Sequence, residues 1–543
     1  MRLLLAIAGG LSIAAAFPKL CLAGLAWIGP GLILAATEGL KPGSTFRLGF
    51  LAGLAWHLAA LYWLLLIPFR VHGFPLAPIT GWLALSAYLA LFTGFWAWAC
   101  HGMLRAIQRD KLMESGENLS WLRRTLWAVS CAALWVALEV IQSRLFTGFP
   151  WNLLGASQFR LTPLIQIASV TGVYGVSFLI VWFSGSLHWA VKSLITRPGS
   201  LRRVTVEVVA PLAVIALMVS WGFNRMTTFR AKEKTITAAL IQPSIEQEVI
   251  WNPDLNEERF SLLMQLSRDA LTNPNVNVLV WPEAALPEFT EENFRAITNL
   301  IASHGVWMVL GADDAERVEN AGEAGGYRYF NASFLFNPEG KYASTYRKRR
   351  LVIFGEYLPL ENWLPFLKWF TPVRGGFTPG KGPVHFSMGN LDTTASVLIC
   401  FEDVFPHLAR HYADEQTDFL LNLTNDGWFG DSAAQWQHAG SAIFRAVENG
   451  LPLVRCTNNG LTCWVDAFGR LREIFSTHGG NIYDPGFLLA DIAIHRDSGI
   501  RPTFYHQHGD VFGAGCLAFS LLAGMSCAAR RKLKRGGAQG KPE

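Results

Sequence analysis

The sequence predicts a polytopic α-helical membrane bundle of about eight spans, with an α/β domain inserted before the last span. Composition points there first: only 16% of the 543 residues are charged and 51% are hydrophobic, whereas an ordinary soluble domain is about 25% charged. Apolar runs fall at roughly 3–16, 20–36, 46–68, 80–104, 125–143, 163–191, 204–222 and 510–529. Charge is also unevenly placed. Residues 223–507 hold 33 Asp and Glu against 24 Lys and Arg, while the remainder holds 8 against 22. An acidic segment therefore lies inside an apolar, basic frame, which divides the chain into 1–222, 223–507 and 508–543. Glycine shows no three-residue period and eight cysteines are sparse, which excludes collagen-like and disulfide-scaffold classes.

Most of the runs approach the ~20 residues that cross a ~30 Å hydrocarbon core. In lipid the backbone has no outside hydrogen-bond partners, so these runs are expected to be helices. The first follows Arg2, yet Pro18, Lys19 and Leu20 precede Cys21. That fits neither an A-x-A nor a lipoprotein-type cleavage site, so a retained helix is expected. Basic residues alternate between connecting segments. One set holds Arg2, Lys41, Arg47, Arg105, Arg109, Lys111, Arg123, Arg124, Lys192, Arg197, Arg202, Arg203 and the tail cations 530–541. The other holds Lys19, Arg70, Arg144 and Arg160. By the positive-inside rule both termini are expected in the cytoplasm, and seven crossings put 223–507 in the periplasm of a bacterial inner membrane.

Glu139 and Glu207 fall in or beside spans. An intramembrane carboxylate is either functional or paired near a helix end. His57 and His188 are expected to pack within the bundle. The segment Phe146–Gly155 reads as an ordered loop, in which Trp151 either anchors at the interface or approaches the inserted domain.

Within 223–507, apolar runs predict strands at Ile236–Ile241, Val276–Trp281, Val306–Gly311, Ala332–Phe336, Thr394–Cys400, Phe419–Leu423, Leu451–Cys456, Leu461–Val465 and Phe487–Ile494. Helical spacing appears at Glu257–Leu271, Glu291–Ser303 and Ser432–Asn449. Asn459-Gly460 between two apolar runs signals a hairpin. Cys456 and Cys463 are equidistant from it, so a bridge between them stays open.

Cys400 ends the run Ser396-Val-Leu-Ile-Cys400, and the carboxyl end of a strand is where α/β folds place ligands. A thiol needs a base or a cation to act as a nucleophile at neutral pH. Two other strand ends carry such groups. Val278-Leu-Val-Trp-Pro-Glu283 offers a carboxylate, and Tyr346-Arg-Lys348 offers an ammonium with Glu356 eight residues on. Taken singly, a strand-end Glu is usually solvated, and the run Arg347–Arg350 is usually an exposed face.

Together, Trp-Pro-Glu283, Tyr-x-Lys348, Leu-Val-x-Phe-Gly-Glu356 and Cys400-x-Glu402 resemble the Glu–Lys–Cys set of the nitrilase (carbon–nitrogen hydrolase) superfamily. Asn425-Asp-Gly-Trp428-Phe-Gly430, Arg445-Ala-x-Glu448 and Thr457-Asn-Asn-Gly460 extend the likeness. The membrane frame and the loop Thr147-Gly-Phe-Pro-Trp-Asn152 are similar to the apolipoprotein N-acyltransferase family. Ile353 and Phe401 depart from it, where Pro and Tyr are common. The resemblance implies an αββα sandwich and catalytic roles for Glu283, Lys348 and Cys400. Glu356 would support Lys348, and Glu402 either positions the network or is purely structural. Trp251 and Trp428 are either walls of a lipid pocket or ordinary core aromatics. The implied reaction is ping-pong acyl transfer from a phospholipid to a diacylated apolipoprotein, with no cofactor, metal or nucleic acid. A membrane-tethered amidase with water as acceptor and an inactive scaffold are the competing classes.

Other motifs fail. Gly375-Gly-Phe-Thr-Pro-Gly380-Lys381 has Gly382 where a phosphate-binding loop needs Ser or Thr, and His407-x-x-x-His411 encloses no Glu.

Overall fold

Long runs of Leu, Ala and Trp without strand-like alternation become helices, and prolines and glycines decide where they stop. The computed structural model describes residues 1–68, 76–108, 119–196, 201–228, 234–318, 326–359, 363, 376–495 and 500–538. Arg70, Arg109, Lys111, Arg197, Gly375 and Lys541 lie outside them, as do the side chains of Arg202, Arg203 and the tail cations 530–535. The chain forms two compact units. One comprises Met1–Tyr62, Trp82–Arg225 and His508–Glu543, and the other Trp63–Gly81 with Met226–Gln507.

Among the described residues, four helices are long and apolar enough to cross a membrane, all of them mainly in the first unit: Ala77–Gln108, Trp121–Gln142, Val173–Thr196 and Glu207–Thr228. They coincide with four of the expected spans. Two expected spans, the second of them one of these four, are interrupted by their sequences. Pro30 opens a new nine-residue helix, Gly29–Thr37, after the short turn Ala23–Trp27. At 1.5 Å per residue that helix rises only about 14 Å. In the run 163–191, Gly172 takes φ +66, so the long helix starts only at Val173. Close helix contact needs small residues: a Cβ on Gly10 would meet the Ala52 carbonyl oxygen at 2.0 Å.

Both carboxylates that fall in or beside spans have protein partners. Glu139 Oε1 accepts from Trp135 Nε1 (3.0 Å) and the Leu154 amide (2.8 Å), and Glu207 pairs with Arg124 (2.5 Å). His57 is buried and stacks on Trp56, and His188 packs near Trp127 and Trp189. Trp151 is 3% exposed and stacks on Phe149, so it is a buried residue rather than a surface anchor.

The second unit carries two six-stranded sheets. The first contains β1 (Lys234–Gln242), β2 (Val278–Val280), β3 (Trp307–Val318), β4 (Gly326–Phe336) and β5 (Tyr342–Arg347). The second contains β6 (His385–Met388), β7 (Thr393–Ile399), β8 (Phe419–Thr424), β9 (Leu453–Thr457), β10 (Cys463–Val465) and β11 (Leu471–Ile474). The last strand, β12 (Gly486–Ile494), returns to the first sheet, giving the orders β12-β1-β2-β3-β4-β5 and β11-β10-β9-β8-β7-β6.

The helices Asn256–Ala270 and Glu291–His304 cover the first sheet, burying Leu263, Ile297 and Ile301 against Ile241, Leu279 and Leu310. Thr290 caps the second of these, its side chain accepting from the Asn293 amide (3.1 Å). On the second sheet, Ala439 of the helix Ala434–Asn449 packs with Leu461 and Cys463. Cys456 on β9 donates to the Ile241 and Val280 carbonyls (3.4 Å each), which shows the sheets face to face. The layers are therefore helix, sheet, sheet, helix.

The hairpin around Asn459-Gly460 forms with Cys463 opposite Arg455. That register turns Cys456 and Cys463 to opposite faces, and both thiols are free.

Candidate active site

Glu283 follows β2, where Gly311 of β3 makes room for it. A Cβ on Gly311 would lie 2.3 Å from the Pro282 oxygen and 2.8 Å from the Glu283 Cα. Lys348 follows β5, its amide held by the Asn331 carbonyl of β4 (2.8 Å). Cys400 follows β7 and takes φ +51, a left-handed conformation costly for a side-chain-bearing residue and typical of strained functional turns.

These three strand ends converge. The Lys348 ammonium, 1% exposed, donates to Glu283 Oε1 (3.1 Å) and Glu356 Oε1 (2.8 Å). Asn331 Nδ2 bridges the same two oxygens at 2.7 Å each. Glu283 Oε2 accepts from the Asn425 amide (2.9 Å), and Glu356 Oε2 from the Val352 amide (2.8 Å). Burial opposes charge on Lys348, but Glu283, Glu356 and the Cys400 sulfur outweigh it and hold its pKa well above the usual range.

Cys400 stays partly exposed while Cys456 and Cys463 are buried. Burial and the Glu283 charge push the Cys400 thiol well above the ordinary range, and Lys348 opposes them. The resting sulfur is therefore protonated. Passing its proton to Glu283 leaves the net charge of the cluster unchanged, which limits the reorganisation that ionising the thiol demands.

Glu402 has a different place. It is fully buried, and each oxygen is saturated. Oε1 accepts from the Arg349 and Arg350 amides (2.8 and 3.0 Å), Oε2 from the Ile399 amide (2.8 Å), and Tyr346 Oη donates to the pair (2.7–2.8 Å). It clamps the Lys348 loop to the Cys400 turn and has no lone pair left for substrate. Glu402→Gln replaces one acceptor with an NH2 group aimed at amide donors. The expected result is a loss of about 2–4 kcal/mol in unfolding free energy by denaturant titration. Lost activity at unchanged stability would instead give Glu402 a chemical role.

Trp251 and Trp428 are half-buried and meet edge to face with centroids 5.2 Å apart. Asn425 Nδ2 bonds Gln247 Oε1 (2.9 Å), tying both tryptophan segments to the loop that holds Glu283.

A second buried cluster lies under the Cys400 turn. His438 bonds Asp426 through Nδ1 and Asp403 through Nε2 (2.8 Å each), with the Cys400 carbonyl 3.3 Å from Nε2. Arg455 pairs with both aspartates. Burial lowers the His438 pKa, but Asp403 and Asp426 raise it to about 9 from the ordinary 6.5. A raised folded-state pKa gives stability that is fully present below pH 6.5 and lost as pH climbs through 9. The contribution is about 3 kcal/mol at its largest. Wild type is therefore expected to lose more stability than His438→Gln between pH 7 and pH 10 in thermal unfolding. Equal losses would contradict a charged His438.

Sequence reasoning missed Asn331 and His438. Asn331 sits at the start of an expected strand with no motif around it, and His438 reads as one polar residue of an amphipathic helix. Arg445 and Glu448, noted only by resemblance, form a buried bidentate pair, and Arg445 also donates to the Val404 carbonyl at the end of the Cys400 turn.

Two family models match: the apolipoprotein N-acyltransferase N-terminal domain over residues 9–186 and carbon-nitrogen hydrolase over residues 237–481. An apolipoprotein N-acyltransferase of Geobacter metallireducens is 33% identical over 533 residues, covering 97% of this chain and 95% of the relative. The chain belongs to the apolipoprotein N-acyltransferase family. One from Brucella suis is 31% identical over 82% of this chain and 81% of its own. An amidase of the nitrilase superfamily from Nesterenkonia AN1 aligns with a TM-score of 0.37 at 18% identity, over 50% of this chain and 93% of its own. The carbon–nitrogen hydrolase match spans Glu283, Lys348, Glu356 and Cys400, so an N-acyltransferase of that superfamily carries the clustered thiol.

Proposed function

We propose that this membrane-bound N-acyltransferase moves a fatty acyl chain from a phospholipid to the N-terminal α-amino group of a diacylglyceryl-cysteine lipoprotein, by way of a thioester on Cys400. The observation that supports this reading most is the shared Lys348 ammonium between Glu283 and Glu356, beside the Cys400 thiol.

In the first half-reaction Glu283 takes the thiol proton and the sulfur attacks the ester carbonyl. The Lys348 charge stabilises the developing oxyanion. Glu283 then gives its proton to the departing lysophospholipid oxygen, leaving acyl-Cys400. In the second, the neutral amine attacks the thioester carbonyl, Glu283 takes the amine proton, and the thiolate leaves to be reprotonated. Glu356 and Asn331 hold Lys348 and Glu283 in place. Trp251 and Trp428 shield the thioester from water, which would otherwise hydrolyse it.

The organisation 1–222, 223–507 and 508–543, with eight crossings, cytoplasmic termini and a periplasmic catalytic domain in a bacterial inner membrane, accompanies this reading. Both substrates are lipids, and each buried CH2 retains them in the bilayer by about 0.8 kcal/mol, so a membrane-spanning enzyme meets them where they reside.

The protein in mixed phospholipid vesicles, given a diacylated lipopeptide, is expected to yield N-acylated lipopeptide by mass spectrometry. Free fatty acid with unmodified lipopeptide would mean a hydrolase using the same residues.

A further inference from the structure

Asp313 and Asn331 stand directly opposite each other on β3 and β4. Cross-strand partners present their side chains on the same face. Asn331 identifies that face, because its amide bonds Glu283 and Glu356. Two residues before Asp313, Gly311 presents the same face to Pro282 and Glu283. Asp313 therefore lies on the sheet face that carries Glu283 and Glu356.

Among the described residues no ion pair joins Asp313 to a cation. Asp313 remains exposed, yet surrounding protein, then Glu283, then Glu356, push its carboxyl up to about 6. Nearby cations are engaged elsewhere: Arg347 with Asp314 and Glu316, Lys348 with Glu283 and Glu356. Asn331 supplies an independent sign. It is 5% exposed, and among the described residues its Oδ1 receives no hydrogen bond. A buried acceptor without a donor is rare and calls for a partner.

Lys348 thus serves Glu283 and Glu356, while Asp313 and the Asn331 amide oxygen beside them have no cation of their own among the described residues. The missing component is a cation that donates hydrogen bonds, and a primary ammonium offers a charge with three N–H groups. We infer that Asp313 and the Asn331 carbonyl form a subsite for the primary ammonium group of a substrate. The identity of that substrate rests on the acyl-transfer reading above, in which two molecules carry such a group: an ethanolamine head group on the donor and the α-amine of the acceptor.

The subsite is tested without acyl transfer by modifying Cys400 of the full-length protein with cationic 2-aminoethyl methanethiosulfonate and with neutral methyl methanethiosulfonate, read at the Cys400 peptide. The ratio of the two rates cancels changes in thiol reactivity. Asp313→Asn is expected to lower the cationic-to-neutral ratio about fivefold, and Asp313→Glu to keep it. An unchanged ratio in D313N overturns the subsite.

Vesicles then separate the sources. A head-group role predicts that D313N slows acyl-Cys400 formation from phosphatidylethanolamine relative to phosphatidylglycerol. An acceptor role predicts an unchanged lipid ratio and a raised KM for the lipopeptide. If neither changes, the substrate assignment is wrong. If the reagent ratio falls in D313N but wild type forms no acyl adduct from either lipid, the acyl-transfer reading fails and the subsite stands.

Discussion

Cys400→Ala is expected to abolish acyl transfer to a lipopeptide, a loss of at least about four orders of magnitude, while the protein remains folded. In the proposed mechanism the sulfur is the atom on which the acyl chain waits between two substrates, so no neighbour substitutes for it. Glu283 is within reach of Lys348 and Asn331 but is engaged by three donors, and a carboxylate so held is a poor nucleophile. Folding is expected to survive because the turn is held by other groups. The Cys400 carbonyl accepts from Asn422 Nδ2 (3.0 Å), and Glu402 grips the Ile399 amide one residue earlier. Alanine also accepts the positive φ no worse than cysteine does. Retained transfer by C400A would favour an inactive or differently catalysed domain.

Lys348→Met is expected to fail more broadly. The ammonium is buried between two carboxylates that also share the Asn331 amide. Removing it leaves two like charges in a place with little solvent, a change that typically destabilises by about 3–5 kcal/mol. It also removes the charge that, in the proposed mechanism, stabilises thiolate and oxyanion, where the loss of one such group costs about 100- to 1,000-fold in rate. Denaturant titration and single-turnover acylation measure the two effects separately. Lys348→Arg keeps the charge but brings a planar fork into a space shaped for a point charge. It should therefore recover stability better than rate. A fully active K348M would remove the electrostatic part of the mechanism.

Much of this was legible in the sequence because the relevant signals are local. All nine expected strands of the inserted domain exist, since apolar runs of Val, Ile and Leu suit a sheet buried between layers. The strands β5, β6 and β11 were missed because Tyr342–Arg347, His385–Met388 and Leu471–Ile474 are polar or mixed and lie at sheet edges, where burial does not mark them. Membrane runs were harder to delimit. Hydropathy does not register that Pro30 and Gly172 reset helix starts. The site divided in the same way. Glu283 and Cys400 each follow or end an apolar run that predicts a strand, so their placement follows from topology, whereas Lys348 follows β5, which no apolar run marks, and was legible only through its motif. Asn331 and His438 act through contacts across sheets and helices, which no local pattern encodes. Register, too, is a tertiary property: Asn459-Gly460 signalled the hairpin, but only the observed pairing shows Cys456 and Cys463 facing apart.

The most direct measurement is the intact mass of the purified protein after incubation with phospholipid vesicles and no acceptor. The expected result is a gain of one acyl chain, mapped to Cys400, released by neutral hydroxylamine and absent in C400A. Release of lysophospholipid with no acyl-protein, or an adduct on any other residue, would contradict a thioester at Cys400.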